Sequence, residues 1–535
     1  MRTRCLCVAV AVTALAFSSG VSGQGGPTQQ ELNSAARDTE NWLHPNHDYA
    51  GSRFVDLKQI TAGNVGSLRP VCMYQSKERV PAQTNPIVYN GVMYITTMQH
   101  TVALDATTCR MRWEHHWEAK GKEPFRTNRG AAIKDGKIVR GTADGYLIAL
   151  SAQTGELLWS RQIADPGQGY FFSMPPLVYE DLVVIGTAGS EWAAKGWVGA
   201  FRLENGEPVW KFNTVPDPGA PGSETWGKDP EVLKHGGGSV WTPFSFDTEK
   251  GWVYVPVGNP APDFYDDVRP GANLYTSSLV ALDARTGQLQ WYYQTVPHDI
   301  HDWDLPQVSP VFRTSVKGKT RNVVAASGKD GLLRLLDRDT HEVLYSAPFT
   351  RQENVDVPLG DAVRVCPGAL GGAGWNGPAY DPTTNTLFEP SNDWCNVIQK
   401  DKQPPRFDQG LYLGGLPKLD PWEKAIGRLT AFDASTGKER WRYASSKPML
   451  AGVTATSAGL IFTGEVTGDF MTLDGATGKV LYRFNTGGPV AGGVIAYEVR
   501  GKQYVAVVSG FVSDFFALNG TDQGGTPTVI LFSLR

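Results

Sequence analysis

Short runs of alternating apolar and polar residues recur along the chain, and each run closes on an aromatic side chain. Ala103 to Trp113 (ALDATTCRMRW) is the first. Ala149 to Trp159 reads ALSAQTGELLW, Ala200 to Trp210 reads AFRLENGEPVW, and Ala281 to Trp291 reads ALDARTGQLQW. Leu335 to Tyr345, Ala431 to Trp441 and Thr472 to Tyr482 are variants of the same pattern. Period-two alternation on both sides of a polar Thr-Gly turn predicts two short strands joined tightly. The glycine suits a turn position with positive φ. The closing aromatic is expected to pack between neighbouring sheets. Hairpin signals precede the copies, as in Pro86 to Tyr94, where Asn90-Gly91 marks a two-residue turn. No helical periodicity reaches comparable strength.

The shorter intervals between closing aromatics match one four-stranded propeller blade of about 40–50 residues. The interval from Trp210 to Trp291 fits one blade plus an insertion over about 216–235. The interval from Tyr345 to Trp441 has room for a further, degenerate copy around Trp375 to Pro390. Seven clear copies and one degenerate copy predict an all-β fold, a single eight-bladed β-propeller. Trp42 to Leu57 leads into the first blade. The late apolar run Thr526 to Leu534 is expected to pair with N-terminal strands and close the ring, which removes exposed edges.

Composition supports this reading. Sixty glycines, 35 prolines and 11% aromatic residues suit many short strands and tight turns. The ends change the picture. Arg2 and Arg4 precede an apolar run, Leu6 to Phe17, that is too short to span a membrane. Val21-Ser22-Gly23 then offers small residues for cleavage. We read residues 1–23 as a signal peptide and 24–535 as one exported domain, periplasmic in a Gram-negative bacterium. No later apolar stretch reaches spanning length. The formal net charge of -4 gives no reason to expect a nucleic-acid partner. Cys72, Cys109, Cys366 and Cys395 remain after cleavage, an even number that suggests two disulfides. Four cysteines allow three pairings; chain order favours Cys72 with Cys109 and Cys366 with Cys395. No C-x-x-C-H motif for haem attachment occurs.

Candidate chemistry concentrates in Pro297 to Pro306 (PHDIHDWDLP), with three aspartates, two histidines and a tryptophan between prolines. The prolines favour extended backbone. Carboxylates this dense repel one another unless they share a cation or a proton. A solvated acidic loop is the bland alternative. Further acidic and amide candidates upstream favour an active-site floor with Asp302 as its base.

The repeat A-x-D-x-x-T-G-x-x-x-W resembles that of the quinoprotein alcohol and sugar dehydrogenases, which bind pyrroloquinoline quinone (PQQ). The resemblance runs from about Asn41 to the C-terminus and implies PQQ and one metal ion near the propeller axis. By resemblance, Arg129 in TNRG reaches the quinone oxygens and Ser173 in FFSMP meets a PQQ carboxylate. Glu191, Asn259 in GNPAP and Asp302 ligate the metal. Trp241 stacks under the ring system, and Lys329 in SGKDG lies beside the quinone. Asn376 in GWNGP is a further PQQ contact, and Gln83 falls where some members carry glutamate. Cys366 and Cys395 match a disulfide common in the family. Two departures bear on substrate. The adjacent cysteine pair that covers PQQ in many alcohol-oxidising members is absent from Lys122 to Arg129. The acidic loop is closer to that of membrane glucose dehydrogenases, yet their anchor is missing.

The chemistry implied is metal-assisted oxidation of an alcohol or sugar hydroxyl. Asp302 takes the proton, hydride passes to PQQ, and a separate carrier such as cytochrome c receives the electrons. Asp304 lies two residues beyond Asp302. In an extended segment both side chains point the same way, so Asp304 is expected as a fourth protein ligand. A third carboxylate would favour a lanthanide over Ca²⁺. The competing class is a non-catalytic propeller, a protein-assembly scaffold or binding module, which would keep the blades and lose these residues.

Overall fold

The computed structural model describes residues 25–360, 362–408, 410–518 and 524–535. The expected signal peptide lies outside them. Among the described residues, strands form eight sheets of four or five strands and one of three. A typical sheet runs Ile87–Tyr89, Val92–Thr96, His100–Asp105 and Met111–His116, each strand antiparallel to the next. Asn90 and Gly91 both have positive φ, as the two-residue turn requires.

The seven copies share one register. Ala103 pairs with Trp113, Ala149 with Trp159, Ala200 with Trp210 and Ala281 with Trp291. Leu335 with Tyr345, Ala431 with Trp441 and Thr472 with Tyr482 complete the set. A one-residue slip follows each pair at the same place, so the aromatic always emerges on the same face.

That aromatic docks on the next sheet. The Trp113 indole N–H donates to Ala152 O at 3.1 Å, Trp159 to Leu203 O at 3.2 Å, Trp210 to Ala284 O at 3.0 Å and Trp441 to Gly475 O at 2.9 Å. Each ring lies against the turn glycine there, Gly155, Gly206, Gly287 or Gly478, where a Cβ would collide with it. Two copies lack the glycine. His341 stacks on Trp291 at 4.7 Å, and Cys109 bonds to Cys72 of the sheet that joins the chain ends. The second disulfide is Cys366–Cys395.

The C-terminal strand Thr528–Leu534 lies between Leu68–Gln75 and Lys502–Ser509, so one sheet draws strands from both ends of the chain. The largest apolar cluster, including Trp42, Val55, Leu104, Phe470 and Phe532, sits beside it.

One expectation is corrected. The region around Trp375 to Pro390 is not a sheet of its own. Ala379–Asp381 and Thr386–Asp393 are the first two strands of the sheet completed by Ile426–Asp433 and Glu439–Ser445. Between its second and third strands the chain detours through part of a small sheet, Val363–Val365, Asn396–Lys400 and Gly415–Leu419. That detour stretched the interval. The insertion after Trp210 forms the short helical turns Ser223–Trp226 and Pro230–Lys234. Among the described residues no helix is long and apolar enough to cross a membrane.

Candidate active site

The candidate residues lie at one end of the sheets, because each either enters a first strand or leaves a second one. In an antiparallel pair those two points are neighbours. Ser173 enters Leu177–Tyr179 and Glu191 follows Leu182–Gly186. Trp241 enters Ser245–Asp247 and Asn259 follows Trp252–Pro256. Asp302 and Asp304 precede Val311–Val316, and Lys329 follows Lys319–Ser327. Gln83, Arg129 and Asn376 enter Ile87–Tyr89, Ala132–Lys134 and Ala379–Asp381.

A cavity of about 300 Å³ opens there, lined by Gln83, Arg129, Ser173, Glu191, Trp241, Asp302, Asp304 and Lys329. It also exposes Asp263, which sequence reasoning missed, and Trp375. The signal for Asp263 was an acidic residue in the proline-stiffened run Asn259-Pro260-Ala261-Pro262-Asp263, four residues past a candidate ligand.

At one side Arg129 is buried, with its guanidinium 4.7 Å from the Trp241 ring centroid and 5.7 Å from that of Trp375. It donates to Ser173 Oγ at 2.8 Å and Trp241 O at 3.2 Å, while its Nε is unpaired. Burial lowers its pKa to about 9. Gln83 donates to Val512 O at 2.8 Å and leaves its buried Oε1 unpaired. Asn376 lies behind this wall. Its amide donates to Leu450 O at 2.7 Å and Ala491 O at 3.1 Å, and its oxygen accepts from Asn85 at 3.1 Å.

At the other side Lys329 Nζ lies 2.9 Å from Asp302 Oδ1 and 2.6 Å from Asp304 Oδ2. The other Asp304 oxygen accepts from the Asn259 backbone N–H at 2.8 Å. Carboxylate oxygens of Glu191, Asp263 and Asp302 lie within 4.8 Å of one another, a grouping able to hold a metal ion. Burial raises the pKa of all three, and neighbouring carboxylates raise them further. Asp304 falls outside that group. Asp302 has φ +61°, so the loop is not extended there, and the alternation that would align Asp302 and Asp304 on one ion does not apply. The two aspartates do converge on a cation, but it is Lys329.

The loop histidines play other parts. His298 is half-exposed and lies 3.3 Å from Asp266. His301 is buried against Trp303 at 4.1 Å, and burial lowers its pKa to about 4. Asp299 accepts from the backbone N–H groups of His301 and Trp303 at 2.8 and 2.7 Å and so shapes the loop.

Where the cysteine pair was missing, Phe125 packs on Phe171 at 5.7 Å, Trp192 at 5.8 Å and Phe515 at 5.4 Å. These side chains and Leu411, Leu416 and Leu419 make the remaining wall largely apolar.

A family model described as the β-propeller domain of glucose, ethanol and alcohol dehydrogenases (PQQ) matches residues 42–358. The chain belongs to the PQQ-dependent alcohol dehydrogenase family. A second model, described as outer membrane protein assembly factor BamB, matches residues 425–522. Among relatives of this family, the quinoprotein alcohol dehydrogenase PedH of Pseudomonas putida is 31% identical over 511 residues, 86% of this chain and 84% of that protein. The solved quinohemoprotein alcohol dehydrogenase ADHIIG of Pseudomonas putida HK5 is 28% identical with a TM-score of 0.88, covering 94% of this chain and 82% of that one. A europium-containing methanol dehydrogenase is 26% identical with a TM-score of 0.87, covering 94% of this chain and all of the other.

Proposed function

We propose that the protein is an eight-bladed quinoprotein that oxidises alcohols with bound PQQ and a metal ion. The observation that carries this reading is the Asp302–Lys329 pair, 2.9 Å apart in a buried cavity. Eight sheets of four or five strands supply the blades.

The residues fit both groups. PQQ is flat and anionic, and Trp241 offers an aromatic face beside the cations Arg129 and Lys329. Gln83, Arg129, Ser173, Trp241 and Lys329 would hold it. Asn376, with its amide spent on backbone carbonyls, is read as support for Trp375 and not as a direct contact. Four lining carboxylates, Glu191, Asp263, Asp302 and Asp304, face two lining cations. An anionic cofactor deepens that excess, which a multivalent cation would offset. Asn259 Oδ1 is buried and unpaired, as a ligand atom would be. Glu191, Asn259 and Asp302 would hold the ion through hard oxygen donors. Asp304 is read as the counter-ion of Lys329, in place of the ligand role its spacing suggested.

PQQ, when bound, would supply a quinone as hydride acceptor, and the ion would supply a Lewis acid. Asp302 takes the hydroxyl proton of the substrate. Lys329 keeps that carboxylate ionised and places positive charge where oxygen gains electron density. The aromatic group around Phe125 keeps water from the cavity. Its apolar surface favours an alcohol with a hydrocarbon chain over a sugar, whose hydroxyls would lack partners there. A separate carrier such as a cytochrome c would receive the electrons.

A dye-linked assay of protein loaded with PQQ and Ca²⁺ or a lanthanide tests this. Turnover of primary alcohols above that of glucose is expected, with a shift of PQQ absorption on binding. Absence of PQQ binding would instead favour a propeller that serves only as a binding module.

A further inference from the structure

The carboxylate of Asp263 is not among the metal ligands named so far, Glu191, Asn259 and Asp302. It is 1% exposed, its Oδ1 has no hydrogen-bond partner, and it lines the cavity. One of its oxygens lies within 4.8 Å of oxygens of Glu191 and Asp302. A buried carboxylate oxygen left without a donor is costly, more so beside two other carboxylates. Of the two lining cations, Lys329 makes its ion pairs with Asp302 and Asp304.

The backbone around Asp263 is held firmly. Arg269, fully buried, donates to Pro262 O at 3.0 Å, Asp263 O at 3.0 Å and Asp299 O at 2.7 Å. One guanidinium thus fastens the Asp263 segment to the acidic loop that carries Asp302. Phe264 N–H donates to Leu413 O at 2.8 Å and anchors the far side. The segment is thereby held in place with the carboxylate buried. This arrangement points to a cation held between the two segments.

We infer that Asp263 is a direct ligand of the active-site metal ion, joining Glu191, Asn259 and Asp302. The inference rests on the metal-assisted reading above and adds a third charged ligand to it. Three carboxylates balance a trivalent ion, whereas a divalent ion would leave a net negative charge buried among them. Asp263 therefore tunes the site toward a lanthanide over Ca²⁺, the role that sequence spacing had given to Asp304.

Europium luminescence tests this without reference to turnover. The holoenzyme is loaded with PQQ and Eu³⁺, and emission lifetimes in H₂O and D₂O give the number of inner-sphere waters. Asp263→Ala should gain about one water and lose more than about tenfold in Eu³⁺ affinity, an effect that even outer-shell partners of a metal can produce. Asp263→Asn keeps an oxygen ligand and loses the charge. It should leave the water count unchanged, weaken Eu³⁺ more than Ca²⁺, and keep the wild-type circular dichroism. Wild-type protein that binds neither ion would overturn the metal reading itself. Wild-type protein that binds Eu³⁺, with water count and affinity unchanged in both variants, would overturn the role of Asp263 alone.

Discussion

Lys329 donates to Asp302 across 2.9 Å, and the same ammonium reaches Asp304 at 2.6 Å. Burial pushes the Asp302 carboxyl up and Lys329 opposes that push. Lys329 thus keeps a proton acceptor ready in an otherwise acidic pocket. Lys329→Met should lower kcat/KM by about 10²–10³, the loss typical for one electrostatic donor. Steady-state kinetics on PQQ-loaded protein check this, and a change of less than threefold would count against the role.

Trp241 contributes a face and no charge. Its ring already carries the Arg129 guanidinium at 4.7 Å. Trp241→Ala should weaken PQQ binding by about tenfold or more, the scale of one stacking contact, and leave the melting profile of the apo-protein nearly unchanged. A fluorescence or absorbance titration with PQQ measures it. Unchanged affinity with a lowered melting temperature would make Trp241 a packing residue.

Glu389 offers a test of burial away from the ion. It is fully buried and accepts from Ser327 Oγ at 2.6 Å, and burial raises its pKa to about 8. The folded protein therefore keeps a proton that the unfolded chain releases near the ordinary value of about 4.5. Its stability contribution is complete below that value and is lost as pH rises through about 8. Glu389→Gln should match wild type near the acid end and melt at higher temperature near pH 8, by up to a few kcal/mol in stability. Parallel melting curves across that range would contradict the assignment.

Gly287 has φ +71°, and a Cβ there would overlap the Trp210 ring. Gly287→Ala should destabilise the fold by about 1–3 kcal/mol through strain and overpacking. Urea denaturation of the two proteins measures the difference, which should appear without loss of PQQ affinity.

The strand-turn-strand copies were legible because one residue set does three jobs. Alternation sets the strands, glycine permits the turn, and the aromatic needs that bare turn to dock. Where a copy substitutes Cys109 or His341 for the glycine, a disulfide or a stacked ring takes over the contact. The sheet containing Ala379–Asp381 was misread because its halves are separated by a detour that counting residues cannot distinguish from another blade. The sheet joining both chain ends was visible only as a possible partner for Thr526 to Leu534.

At the site, candidate residues were legible in the sequence and the directions of their side chains were not. Arg129, Ser173, Glu191, Trp241, Asp302 and Lys329 do meet in one cavity. The alignment of Asp304 with Asp302 on one ion assumed extended backbone; Asp302 instead has positive φ, and the two carboxylates meet at Lys329. Asp263 escaped notice because an isolated aspartate after proline is ordinary in a loop. Its significance lies in Glu191 and Asp302 being close in space, which no spacing reveals.

The central claim is that Asp302 takes the substrate proton in a PQQ-loaded cavity. The most direct measurement compares Asp302→Asn with wild type in two assays on the same preparations, alcohol turnover with an artificial acceptor and equilibrium PQQ binding. A fall in kcat of at least about 10²–10⁴, the usual worth of a general base, with PQQ still bound is the predicted result. Turnover within a few-fold of wild type would contradict it.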